Sequence, residues 1–441
     1  MPASVLKCFP RENGEIQNAQ IVTFDDWDEL SFFTPDPSEK AFDQVVSLYQ
    51  NYIVKRYGKV LGTCLLFRLP EEPLPIQINT DHRNMLSACS FLLKKGLRIR
   101  KGKIQFTDPK AEELFRFLND QNCLETAAGR LPFVKPLPVA DTLGFLSESR
   151  KDAAFRVNSS FFTMDPLDIA TTYDAIGTSI GLMVKHGTIL TPPLFEREVF
   201  LVKQDGTCAV EFIHLEDLEL ELSGKRFRHG TNCRIFMRPS YRRTPSGGKD
   251  LIITGTSVTA ISGNGHTPVP ASGFVLRTDE DVSVSVGDPL TFHGLEDIAF
   301  SVQGGNSAVI DGVPIEQFRS RFYNVFHPAS IAYPPSFYPL NYRKDRAPRI
   351  LLGESEDHKP VIIWLEGAAK FGHQAGADSC GASLLESAHF ADALGLRTAV
   401  HLDGGGSAEI LLNGTRSLKI SDREPEDYHE IERAVAAGLI A

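Results

Sequence analysis

The sequence predicts an α+β fold: a strand-rich, mixed-sheet domain over residues 140–441, preceded by a smaller, helix-containing N-terminal domain over residues 1–135. Three observations predict it. Helical periodicity is concentrated in the first third of the chain. A proline-rich stretch, RLPFVKPLPVADT (130–142), then marks a boundary. Beyond it, short β-rich runs alternate with turns almost to the end.

The elements follow in order. PSEKAFDQVVSLYQNYIVKRYG (37–58) places apolar residues at helical spacing between a Pro-Ser start and a Gly stop. NMLSACSFLLKKG (84–96) ends in a Lys-Lys-Gly cap, and DPKAEELFRFLNDQN (108–122) opens on Asp-Pro, a helix start. After the boundary, AAFRVNSSFF, IGLMVKHGTIL, DLIITGTSVTAI, SGFVLRT and DVSVSVGD all read as strands. VFLVKQDGTCAVEFI reads as a hairpin turning at Asp205-Gly206. PVIIWLEG (360–367) and RTAVHLDG (397–404) read as buried strands, with the amphipathic helix SLLESAHFADALG (383–395) between them. The final run, RAVAAGLIA, reads as a last buried strand.

Composition bounds the function classes. The chain has 441 residues, 42% of them hydrophobic and 23% charged, as in ordinary globular proteins. The 56 acidic against 46 basic residues give a net charge of -10. That balance argues against a nucleic-acid or anionic-membrane partner. One basic run, KKGLRIRKGK (94–103), is read as a solvated strand pair or turn. Seven scattered cysteines without a CxxC pair suggest neither a zinc site nor a disulfide framework. The first residues lack an apolar signal-peptide core, and no apolar run approaches bilayer-spanning length. The expectation is a cytoplasmic protein with no metal and no cofactor; the sequence does not give its oligomeric state.

The candidate chemistry centres on AVHLDGGGSAEILLNG (399–414). Asp403 stands at a strand end, where side chains of open sheets commonly face a crevice. Gly404, Gly405 and Gly406 leave backbone amides bare, and such amides can line an anion nest, with Ser407 adding a hydroxyl. A glycine turn needed only for packing is the equal alternative. Asn158, within RVNSSFF, is either a turn residue or a ligand group. Arg349, Glu432 and Arg433 stand at strand mouths, where surface ion pairs are the simpler reading. Glu386, in the first turn of the 383–395 helix, also suits the helix dipole. His401 is either a satisfied core histidine or a base. No HExxH, GxSxG or GxxxxGK[ST] is present.

Taken in order, these segments resemble the phosphodiester glycosidase family, whose members release a sugar from a sugar-1-phosphodiester. VNSSFF (157–162) is similar to the family's Asn-containing NGGFF strand, and VQGGNSAVIDG (302–312) to its glycine-rich segment. PRILLG (348–353), WLEGAA (364–369), SCGASLLESA (379–388), HLDGGGSA (401–408) and SDREPEDYHEIERAVAAGL (421–439) follow in family order. The resemblance spans about residues 140–441. Its departures are His401 for Asn, Ile350 for Thr, Glu366-Gly367-Ala368 for Asp-Gly-Arg, and Ala434 for Pro.

The resemblance implies a hydrolase that cleaves the glycosidic bond of a sugar-1-phosphodiester or related glycosyl phosphate, its one expected small-molecule partner. Asp403 with Glu386 or Glu432 would be the catalytic carboxylates. Asn158, Arg349, Ser379, His401, Gly404, Gly405, Gly406, Ser407, Asp422 and Arg433 would bind substrate, the arginines and glycine loop taking the phosphate. A metabolite-tailoring lyase or transferase on the same fold, and a sugar-phosphate binding module without catalysis, are the alternatives. A hard cation on Asp403, Glu409 and Asp422 is the one metal idea the residues allow.

Overall fold

The computed structural model describes residues 2–11, 13–38, 40, 41, 44, 143–162, 179–194, 197–237, 240, 241, 243–267, 269, 270, 273–316, 345–367, 378–424 and 427–441. It also describes the backbone of five strands between residues 63 and 125. The described residues are strand-rich, and their one complete α-helix is Leu384–Ala393.

A seven-stranded sheet organises the molecule. Its order is Ala3–Pro10, Ile16–Thr23, Pro360–Leu365, Arg349–Ser355, Leu396–His401, Ser307–Ile310 and Val313–Pro314, and every adjacent pair is antiparallel. Alternate side chains of the central strands face opposite ways, and both faces are covered. Ile350, Leu352, Ile362, Trp364, Val400 and Leu402 join one core with Phe200, Val202, Phe300 and Phe155 of two neighbouring sheets. Leu351, Ile363 and Ala399 face the other way, onto Ala388 and Ala391 of the helix. Burial on both faces explains the uninterrupted apolar runs PVIIWL and ILLG.

The helix begins as its sequence demands. Ser383 caps the Glu386 amide and Glu386 caps the Ser383 amide, a reciprocal capping box. The 198–212 hairpin forms as expected, Glu198–Lys203 against Cys208–Phe212. The closing strand, Gly438–Ile440, is buried between Phe155–Asn158 and Ser31–Phe33.

Three expectations change. The helix-containing N-terminal domain is not shown. The expected helices at 84–96 and 108–122, and most of that at 37–58, lie outside the described residues, as does the 130–142 boundary. The described N-terminal elements are strands and one short 3-10 turn, Trp27–Glu29, while Lys40, Ala41 and Gln44, within the expected 37–58 helix, are helical. Ile16–Thr23 pairs with Pro360–Leu365, and Ser31–Phe33 with Gly438–Ile440, so the first 33 residues are woven into the sheets of the last hundred. The basic run 94–103 contributes to a strand pair, Leu97–Arg100 against Lys103–Phe106. DVSVSVGD forms no strand. Its alternation does turn Val282 and Val284 to the core, but Lys225 and Lys249 take the carbonyls of Asp281 and Val282, the groups a ladder would use. No helix among the described residues is long and apolar enough to cross a membrane.

Candidate active site around Asp403

Several strand ends meet where the Leu396–His401 strand stops. The Leu402 amide donates to Ile350 O (2.9 Å), the Asp403 amide to Ser159 O (2.9 Å) and the Gly405 amide to Pro348 O (3.0 Å). The start of Arg349–Ser355 and the end of Phe155–Asn158 therefore converge on Asp403. The Gly304–Asn306 loop closes the third side: the Gly305 amide donates to His401 O, and a Cβ at Gly304 would collide with that same oxygen.

The glycine run allows this approach. Gly405 takes φ +61°, which L residues rarely adopt, and Gly405–Ser407 form a single tight turn. Asn158 clamps both ends of the loop. Its Nδ2 donates to Asp403 O (2.6 Å) and its Oδ1 accepts from the Glu409 amide (3.2 Å). Asn158 is thus a loop brace, and the Gly405 amide is already bonded within the fold. Of the two readings of the glycines, close packing is the one these bonds support.

Asp403 itself is electrostatically perturbed. Burial pushes its carboxyl up to about 6, against the Ser407 hydroxyl, Arg433, the Gly404 amide and Arg197, which all favour the ionised form. Arg433 is held from the other side by Asp422, with Nε and Nη2 at 2.9 and 2.7 Å from Oδ2. Arg197 is buried at the start of Glu198–Lys203, its guanidinium 5.1 Å from the Phe161 ring centroid. Its main-chain oxygen accepts from Gln303 Nε2 (3.1 Å). Next to it, Glu198 accepts from the Ser307 amide and hydroxyl. On the same converging segments, the Ser159 and Ser160 hydroxyls and the Asn306 amide nitrogen are buried without a hydrogen-bond partner. Buried polar groups are normally paired, so these three have hydrogen-bonding capacity to spare on the segments that converge on Asp403.

The remaining expected site residues are placed differently. Glu386 is not beside Asp403 in any hydrogen bond or ion pair. It pairs with Arg11 (2.7 Å) and Arg346 (2.8 Å), both far away in sequence. Burial works to raise its pKa, but Arg346, the Ser383 amide and Arg11 outweigh burial and bring it down to about 2. Glu432 accepts from the Ser147 amide (2.8 Å) and from Arg416 (3.0 Å). Ser379 braces main chain, donating to Glu366 O and accepting from the Asn18 amide. Arg349 donates to Ala382 O and Asp345 O. His401 is the satisfied core histidine: Nδ1 meets Asn306 O (2.9 Å) and Nε2 the Ser387 hydroxyl (2.6 Å). Burial holds it neutral, down at about 3, so Nδ1 carries the proton to Asn306 O and Nε2 is an acceptor facing the Ser387 hydroxyl, for whose one proton Leu384 O competes. The cation idea fails on the same grounds: Arg433 occupies Asp422, Arg416 occupies Glu409, and no acidic cluster among the described residues suits a metal.

Glu386→Gln therefore tests a structural role. It is expected to cost about 1–2 kcal/mol in urea unfolding at pH 7. Because its folded pKa lies below the usual value, that difference should vanish as pH falls from about 4.5 towards 2. Turnover should change less than about threefold; a hundredfold loss would return Glu386 to the chemistry.

Arg197, Glu198, Gln303 and Asn306 are absent from the sequence-based list. Their signals were slight: a charged pair entering an apolar strand in FEREVFLVK, and a second glycine loop in VQGGNS.

No curated protein matches the chain. Among solved structures, a hypothetical protein from Synechocystis is 15% identical, with a TM-score of 0.38 over 86% of this chain. This chain spans 61% of that protein's length. The catalytic domain of zebrafish N-acetylglucosamine-1-phosphodiester alpha-N-acetylglucosaminidase, auto-inhibited by its pro-peptide, is 10% identical, with a TM-score of 0.41. That comparison covers all of this chain and 82% of the zebrafish one. Over residues 231–441, which hold Asp403, its glycine loop and the Asp422–Arg433 pair, the chain matches the phosphodiester glycosidase family; VNSSFF (157–162), the first of the family-like motifs, lies outside that match.

Proposed function

We propose that the chain is a hydrolase that cleaves the glycosidic bond of a sugar-1-phosphodiester or a related glycosyl phosphate, with Asp403 at the anomeric carbon. The observation that carries this reading is the buried Asp403, set among converging strand ends and within the field of Arg433 and Arg197.

The substrate's leaving group is a phosphate monoester, a weak base that departs without a strong proton donor. Such a reaction asks for a carboxylate at the sugar and cations at the phosphate. Asp403 supplies the first, ionised above about pH 6. Arg433, held in orientation by Asp422, and Arg197, over the Phe161 ring, supply the second. The Ser159 and Ser160 hydroxyls and the Asn306 amide offer hydrogen bonds to sugar hydroxyls. With Glu386 and Glu432 engaged elsewhere, Asp403 acts as the carboxylate of the first step. The glycine loop holds Asp403 in place, and the arginines carry the phosphate.

The test is turnover of methyl N-acetylglucosamine-1-phosphate in ¹⁸O-labelled water. Hydrolysis at the anomeric carbon puts the label in the sugar hydroxyl. Label in the phosphate, or unlabelled products, would overturn the reading in favour of attack at phosphorus, or of elimination or transfer. The same assay has a pH signature: kcat/KM should fall about tenfold per pH unit below about 6, as Asp403 takes up its proton.

A further inference from the structure

We propose that Glu409, Arg416 and Glu432 form a proton-holding clip that lies behind the site and positions its glycine loop and Arg433. One guanidinium bridges two carboxylates: Arg416 Nε bonds Glu409 Oε1, and its Nη2 bonds Glu432 Oε2 at 3.0 Å. Glu409 is 2% exposed. The other Glu432 oxygen accepts from the Ser147 amide at 2.8 Å. Behind them lies buried Arg156, whose Nη1 donates to Leu146 O (2.9 Å) and Ser149 O (2.6 Å). The clip therefore ties together segments around residues 147, 156, 409, 416 and 432.

Two short paths lead from it to Asp403. The Glu409 amide bonds Asn158 Oδ1, and Asn158 Nδ2 bonds Asp403 O, so the Glu409 main chain is one end of the clamped loop. Glu432 is followed directly by Arg433, which faces Asp403 and Asp422. Neither clip carboxylate touches the site. Both are positioning residues.

The charged groups around Glu409 are Glu432, Arg416 and Arg156. Glu430 adds its field at Arg416, and Asp152 adds its field at Arg156. Burial, then Glu432, push Glu409 up to about 7 against the pull of Arg416. While Glu409 keeps its proton, only Glu432 sets a full negative charge against Arg416. When the proton leaves, buried Glu409 and half-buried Glu432 face each other as two carboxylates across one guanidinium, and the clip weakens. A folded pKa above the ordinary value makes the protonated form the stabilised one, so the clip is tight in acid and loosens as pH rises through about 7.

Hydrogen exchange by mass spectrometry tests this on the full chain, independently of any reaction. A peptide spanning 402–411 is followed from pH 6 to 8, with rates corrected for intrinsic exchange. Wild type should lose about tenfold in protection, while a peptide from Arg349–Ser355 stays constant. Glu409→Gln should show no step. A flat wild-type profile, or the same step in Glu409→Gln, overturns the proposal. Because the wild-type profile is itself decisive, a variant that misfolds does not shield the idea. Failure of turnover on the sugar phosphodiester would bear on the proposed function and leave the clip untouched.

Discussion

Asparagine in place of Asp403 is expected to lower kcat by at least about 10³-fold while leaving the fold intact. The two carboxyl oxygens are the reactive atoms of the proposed first step, and an amide has neither the charge nor the basicity to replace them. The stability side has a definite sign. Burial raises the folded pKa from 3.8 to about 6, so the folded state binds the proton more tightly than the unfolded chain does. That contribution is complete below about pH 3.8 and is lost as pH rises to about 6. At pH 8 wild type carries the full cost of a buried charge, about 2 pKa units or ~3 kcal/mol. Asp403→Asn removes the charge and should be as stable as wild type, or more so, at pH 8. At pH 4 it should hold no advantage. Urea unfolding at both pH values, beside the turnover assay, measures both halves. Full activity in the variant would remove Asp403 from the mechanism, and marked destabilisation at pH 8 would show that the charge is better solvated than its burial implies.

Gly406→Ala is expected to be nearly as damaging, for a steric reason. A Cβ at Gly406 would overlap the Arg433 guanidinium and the Asp422 oxygen that holds it. Those atoms are paired with each other, so relief requires the ion pair to part or the loop to shift. Overpacking of this kind costs about 1–3 kcal/mol, and displacing Arg433 should lower kcat/KM by about 100-fold. Gly405→Ala is the control. A Cβ there meets nothing within 4 Å, but φ is +61°. Its cost is backbone strain alone, about 1–2 kcal/mol. Activity retained by Gly405→Ala and lost by Gly406→Ala would show that Arg433 sits against the loop as described. Equal losses in both would mean that loop shape alone matters, and equal retention would remove Arg433 from the site.

Much of this site was visible in the chain itself, and the particular residues show why. ILLG, after Arg349, and PVIIWL are apolar throughout because their sheet is covered on both faces, and such runs are read directly. SLLES announces its helix because a capping box is a contact three residues long. Asp403 was legible as a strand-end carboxylate for the same reason: an apolar run before it and three glycines after it are neighbours in sequence. The order of the family-like motifs added what each motif alone lacked.

The partners of the charged groups were not legible. Glu386 and Glu432 look like Asp403 on paper, but Arg11, Arg346 and Arg416 claim them, the first across 375 positions of chain. His401, unusual in its motif, is silenced by Asn306 and Ser387 on two other elements. Arg197 came into the site because Ile298–Val302 and Glu198–Lys203 pair, which places Gln303 under its main chain. The sequence by itself determined the buried strands PVIIWL and RTAVH, where the capped helix starts and that Asp403 follows a strand and precedes a glycine loop. Those properties depend on side-chain periodicity and on residues a few positions apart. Only the tertiary structure decided which carboxylates arginines claim and which is buried, because burial and ion pairing are set by groups brought together from distant parts of the chain.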